Sequence, residues 1–407
     1  MSSPSRMVEW TEMLSTQRPA LSTPHAPGLA LWSVGMVLAR SGAVTAVTAL
    51  LARWWRRQEQ TVRQPRREWC DAAEANRGDQ RQARDPAVSL VPRRPWIRNQ
   101  WPGTQLALAL DASTWGPRCT VWASSVVSRG GARPVAWTIL PANTQQAWRR
   151  EWWRRLRPRR PAMPRGWTVS VRADRGRYAG WLFRRIVRRG WHPCWRLNAG
   201  GTLRPAGSGH CAPLSTVAPH VGSRWRGTGT AFTRAPRQLP GPWLACWPEG
   251  DTAPWVILTA WPPAASAAAW DGWRAGIEPG VKVPPRAGGP WPRTRLTEPH
   301  RAARRWLAVA VATWWRRRVG GLTDASIPDR TLLDVSGALG MPRRQRRATR
   351  RRVVRAVRPG WPLILVARLD QAPWPVGTFL PEPWPTVSWC EHPGMVHDSG
   401  VRHDVAA

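Results

Sequence analysis

Lysine, tyrosine and phenylalanine are nearly missing from this 407-residue chain, which holds one lysine (Lys282), one tyrosine and three phenylalanines. Acid is scarce as well: 24 Asp and Glu face 62 Lys and Arg, for a formal net charge of +38. Such a balance suits a polyanion whose counterions are released on binding. Nucleic acid is the first expectation, and an anionic membrane surface or a ribosomal neighbourhood is the alternative. The cysteines (Cys70, Cys119, Cys194, Cys211, Cys246, Cys390) include no C-x-x-C pair. That excludes a recognised zinc spacing and a disulfide framework, and it fits a reducing cytoplasm. Cys390, His392, His397 and His403 therefore read as tail residues rather than metal ligands. No signal peptide is evident, and no apolar run is long enough for a membrane span. The stretch 29–52 is broken by Arg40 and Gly42, and it reads as a pair of buried helices. In place of the absent aromatics stand 32 tryptophans. Tryptophan is an unusual core builder, because its N–H needs an acceptor when buried.

Residues 1–100 read as a helical region followed by a linker. Leu29, Leu31, Trp32, Val37 and Leu38 recur at helical spacing, and Val44, Val47, Leu50, Leu51 and Trp54 repeat the pattern. Arg63, Arg66 and Arg67 flank a turn at Pro65 and are candidates for phosphate contact, with a solvated helix face as the bland reading. Strand signals then take over. Residues 105–111 (QLALALD) are apolar at nearly every position, as in a strand buried on both faces. Residues 118–127 and 134–140 follow, separated by the turn signal SRGG. A helix over 144–157, a strand over 167–174, a helix over 178–189 and a short strand from 195 complete the run. This order predicts an α/β fold, a mixed sheet with helices packed on it. Residues 200–262 are rich in Gly, Pro and Thr, with one clear strand at 255–261, and read as a β-rich insertion. Helical signal returns at 264–281 and 299–318, a dense arginine run fills 342–358, and the last residues are Pro-rich.

Asp111 closes the first apolar run and Asp174 the fourth strand. Strand ends at one edge of a sheet bring two carboxylates to a common rim, where ligand sites of open α/β sheets lie. Paired carboxylates bind hard divalent cations such as Mg²⁺, and a third from a packed helix completes a two-metal site. Glu278 is the candidate third acid. On a helix it shares a face with Arg274 and Lys282, four residues to either side, and these are suited to holding phosphate. Taken singly, each Asp reads as readily as a cap or turn residue, and Glu278 as an exposed helix glutamate.

The segments LALALDASTWGPRCTVWASSVVSRGGARPVAWTILPAN and VRADRGRYAGWLFRRIVRRGWHPCWRLNAGG resemble the catalytic core of DDE transposases of the insertion-sequence-four family. The runs ALWSVGMVLARSGAVTAVTALLARWW and RTRLTEPHRAARRWLAVAVAT extend the resemblance over most of residues 28–385. It implies an RNase H-like core (101–199) with a β-strand insertion (200–262). An α-helical DNA-binding and dimerisation region (1–100) precedes the core, and a helical completion (263–320) and a basic, Pro-rich C-terminal region (321–407) follow. It further implies that Asp111, Asp174 and Glu278 hold two Mg²⁺ (or Mn²⁺) ions. The expected partners are double-stranded DNA, as element terminal inverted repeats and target, and a second copy of the chain, in the nucleoid-associated bacterial cytoplasm. The family signature around the Glu is Tyr-x2-Arg-x3-Glu-x6-Lys. Arg274 and Glu278 match it, but Asp271 stands for the Tyr and Pro285 for the Lys, with Arg286 alongside as a substitute cation. Pro279, Pro284 and Pro285 suit a helix interior poorly.

The departures share a genetic relation: one T→G change converts Leu codons to Trp or Arg, Tyr to Asp and Phe to Cys. Trp115, Trp122, Trp195, Trp273 and Trp314 stand where Leu fits the pattern, and Cys119 and Cys194 where Phe fits. Biased substitution predicts an overfilled core, and adaptation to a GC-rich genome is the competing account. The functional expectations are thus a metal-dependent transposase, a catalytically inactive DNA-binding remnant of one, or an RNase H-like nuclease without strand transfer.

Overall fold

The computed structural model describes residues 3–17, 25–63, 101–115, 117–128, 131–142, 144, 149, 152, 166–173, 179–198, 200–232, 237–262, 298–324, 360–377 and 379–381. Three helices come first: α1 (Ser3–Gln17), α2 (His25–Leu38) and α3 (Val44–Trp55). Helix α2 is buried at every position from 28 to 37, as its lack of any polar face demands. The expected helical pair over 29–52 is therefore present. No helix among the described residues is long and apolar enough to cross a membrane.

Five strands follow: β1 (Gln105–Trp115), β2 (Cys119–Ser128), β3 (Gly131–Pro141), β4 (Thr168–Ala173) and β5 (His192–Leu197). Helix α4 (Gly180–Val187) joins the last two, burying Leu182, Phe183 and Ile186 on one stripe. The stretch 200–262 holds five strands where the sequence suggested one: β6 (Thr202–Pro205), β7 (Ala212–Pro213), β8 (Arg224–Ala231), β9 (Leu239–Cys246) and β10 (Trp255–Thr259). All ten lie in one mixed sheet of order β3-β2-β1-β4-β5-β10-β9-β8-β6-β7. The β1–β4 and β4–β5 pairs are parallel, and the other pairs antiparallel. A short connection suffices for the antiparallel hairpins, whereas α4 supplies the crossover that the parallel β4–β5 pair requires.

Two more helices, α5 (Pro299–Asp324) and α6 (Gly360–Leu369), pack with α2, and α5 also packs on β3. One apolar cluster runs from Trp10 through α2 and α5 into β1, β4 and β10. The helices and the sheet thus share a core. Tryptophan fills much of it: Trp137 on β3 meets Trp306 on α5 edge to face, with ring centroids 6.1 Å apart. Trp10 lies against Trp315 at 4.2 Å.

Candidate active site

The rim of interest lies where the parallel ladder between β1 and β4 ends. Its register pairs Leu106 with Val169, Leu108 with Val171 and, last, Leu110 with Ala173. Leu106, Leu108, Leu110, Val169 and Val171 are all buried on one face in the shared core. Alternation puts Ala107, Ala109 and Asp111 on the other face, with Ser170 and Arg172 beside them on β4.

Asp111 is not the last residue of its strand, as the end of the apolar run implied. Strand β1 continues to Trp115, because β2 carries on pairing with it: Asp111 stands opposite Ala123 and Trp115 opposite Cys119. Among the described residues the pairing with β4 runs to Leu110. Asp111 therefore lies one residue past the last described rung with β4, still paired with β2, and it is half-buried there. Oδ1 accepts the backbone N–H of Ala112 at 2.8 Å, which fixes the side chain against its own strand.

Helix α5 packs on β3. Glu298 caps it, accepting the Arg301 N–H at 2.6 Å, so its negative charge meets the positive end of the helix. Its charge also bears on Cys119. Burial pushes that thiol above its ordinary range, Arg118 opposes the rise, and Glu298 adds to it.

Of the other site residues read from the sequence, Asp174, Glu278, Arg274, Lys282, Arg286, Arg66 and Arg67 lie outside the described residues. Asp174 follows Ala173, the last residue of β4, directly in the chain. Arg63 is described, and its Nη2 donates to Glu59 Oε2 at 2.9 Å one helical turn back. An exposed pair of this spacing contributes about 0.3–0.5 kcal/mol, so Glu59 is a weak competitor for any other anion. Among the described residues no three His, Cys, Asp or Glu side chains converge.

The sequence reading missed the cations of the interior. Arg172, on the face of Asp111, is 2% exposed. Arg133 on β3 and Arg317 on α5 are nearly as deeply buried, and Arg317 Nη1 donates to the Ala132 carbonyl at 2.8 Å. The available signal was an arginine inside an otherwise apolar strand, TVSVRA, and three arginines in the middle of an apolar helix.

No protein-family model matches the chain, and no curated protein matches it. Among solved structures it is similar to a piggyBac transposase, seen by cryo-EM in a synaptic complex with hairpin DNA. The identity is 10%, the match covers 86% of this chain and 83% of that one, and the TM-score is 0.35. At that level the functional reading rests on the residues of the chain itself.

Proposed function

We propose that the chain is a DNA transposase of the DDE type, built on an RNase H-like core of β1–β5 that carries β6–β10 as an insertion. The observation that carries this reading is the placement of Asp111. It stands one residue beyond the last described rung of the parallel β1–β4 ladder, and Asp174 stands one residue beyond that rung in the sequence of the other strand. The order β3-β2-β1-β4-β5, with three antiparallel strands and two parallel additions, supports the same reading.

In this reading Asp111, Asp174 and Glu278 hold two Mg²⁺ or Mn²⁺ ions. Carboxylates are the hard oxygen donors such ions take, and the half-buried Asp111 is such a donor. The ions when bound supply charge neutralisation at phosphorus and an activated water for in-line displacement. Arg274, Lys282 and Arg286 contact DNA phosphates beside the acids, while Arg63, Arg66, Arg67 and the amino-terminal helices hold element ends. A homodimer follows from the need to pair two ends. The burial of Arg172 on the face of Asp111 favours one rival, a remnant that binds DNA without turnover.

The test is a cleavage and strand-transfer assay on the flanking DNA with Mg²⁺ or Mn²⁺, run beside Asp111→Ala and Asp174→Ala. Metal-dependent joined products that both variants lose are expected. Binding without cleavage identifies the remnant, and cleavage without joining identifies a nuclease; either result overturns the transposase reading.

A further inference from the structure

Five tryptophans from four separate segments form an unbroken line of rings. Trp10 of α1 lies on Trp315 of α5 with ring centroids 4.2 Å apart, and Trp315 meets Trp374, beyond the end of α6, at 5.2 Å. Trp374 meets Trp54 of α3 at 6.5 Å, and Trp54 meets its neighbour Trp55 at 6.2 Å. Aromatic pairs in contact have centroids about 4.5–7 Å apart, so no step in the line is wider than contact. No further ring contact joins any of the five among the described residues. The line runs from inside to outside: Trp10, Trp315 and Trp374 are buried, while Trp54 and Trp55 are partly exposed.

The five rings differ in where a proton can go. Indole carries a donor N–H only, and an indole that has lost an electron becomes a strong acid at that N–H. The Trp10 N–H is held by Ser33 Oγ at 3.0 Å and the Trp315 N–H by the Pro375 carbonyl at 2.9 Å. A hydroxyl and a carbonyl are too weakly basic to keep the proton. The Trp374 N–H is buried with no acceptor among the described residues. At Trp54 and Trp55 water can take it, but the Arg368 guanidinium, 4.8 Å from the Trp54 ring centre, opposes a positive charge there. Electron transfer between touching rings is fast and reversible, and loss of the proton at the outer end makes it one-way. We infer that Trp10, Trp315, Trp374, Trp54 and Trp55 form a relay that carries an electron vacancy, created in the core by ultraviolet light, outward to Trp55. Light ejects an electron from an inner indole, dissolved oxygen takes it up as superoxide, and each ring is refilled by the next one outward. Trp55 ends as a neutral radical, its N–H proton released to water.

The relay is independent of the transposase reading. In the test the full chain is irradiated in air-saturated buffer with superoxide dismutase and a nitrone spin trap, which bonds to an exposed indolyl radical. Peptide mapping by mass spectrometry locates the adducts. Trp374→Phe keeps a ring in place but not an oxidisable one, so two of the five rings stay connected to the exit. Because the five indoles absorb alike, the adduct at Trp55 is expected to fall to about two-fifths of wild type, and in Trp54→Phe to about one-fifth. The adduct at Trp225, partly exposed on β8 and outside the line, is expected to stay constant. Trp54→Phe changes a partly exposed position and carries the test if Trp374→Phe fails to fold. A Trp55 yield unchanged in the variants overturns the inference, as does a fall at Trp225 in step with it.

Discussion

Arg317 illustrates what this interior tolerates. Its side chain is 3% exposed, and Nε and Nη2 find no hydrogen-bond partner among the described residues. Burial first, and then the charge of Arg316, lower its pKa from the ordinary arginine range to about 9, so at neutral pH it remains charged inside the protein. Buried ionic groups replaced by apolar ones of similar volume often leave a protein more stable by about 1–4 kcal/mol. Arg317→Met is therefore expected to raise the urea midpoint at pH 7.5. The sign with pH follows from linkage. Between about pH 9 and the ordinary arginine range the unfolded chain binds the extra proton, so wild-type stability recovers as pH rises through that window. The advantage of Arg317→Met should accordingly shrink by pH 10; an advantage that is constant with pH, or a loss of stability at pH 7.5, contradicts this account. The same pattern marks Trp195, which is fully buried with no acceptor for its indole N–H among the described residues. Sequence alone flagged Trp195 as standing where Leu fits, because an apolar position is legible from its neighbours. It could not flag Arg317 or Arg172, since an arginine in a pattern reads as solvated until the fold shows what covers it.

Among the elements, α2 and α3 cross at Gly35. A Cβ there would lie 2.6 Å from Val47 Cγ1 and 2.8 Å from Leu51 Cδ1, both on fully buried side chains of α3. Gly35→Ala gains helix propensity of about 1 kcal/mol, yet pushes α3 away at a typical overpacking cost of about 1–3 kcal/mol. The expected net is a lower melting temperature, restored in part by Val47→Ala on the same background; if the two changes simply add, the close approach is not the cause. The strands that were legible are the apolar or alternating ones, β1 to β5 and β10. Strands β8 (RWRGTGTA) and β9 (LPGPWLAC) were not, because glycine and proline within a run demote it as a strand. They pair nonetheless, and Pro240 and Pro242 sit where β9 has β8 on one side and the β10 pairing has already stopped. Asp111 was misjudged for a related reason: the apolar run ends there, while the hairpin partner keeps the strand going. Helix α6 was missed too, being a short apolar run behind a long arginine tract.

For the whole molecule the charge of +38 makes binding to any polyanion steeply dependent on salt. On duplex DNA the logarithm of affinity should fall linearly with the logarithm of salt, by roughly 0.9 for each phosphate neutralised. Arg63→Gln should lower the slope by about one such step if that side chain leaves Glu59 for DNA; an unchanged slope removes Arg63 from the interface. Composition alone made this legible, because net charge needs no fold. The union of the amino-terminal helices with the sheet was not legible, since it rests on contacts between segments far apart in the chain.

That union governs how the protein can be made. Trp10 rests on Trp315, and α2, apolar on all sides, takes much of its cover from α5, with α6 beside it and α1 and α3 on its other sides. A ribosome therefore extrudes α2 long before its cover has been translated, and contacts of such long sequence separation form slowly. Through most of synthesis the nascent chain offers an oily helix to chaperones, and any product cut short before α5 inherits that exposed surface for good. A copy of the gene interrupted by a late stop codon would thus yield an aggregating polypeptide rather than a smaller working one.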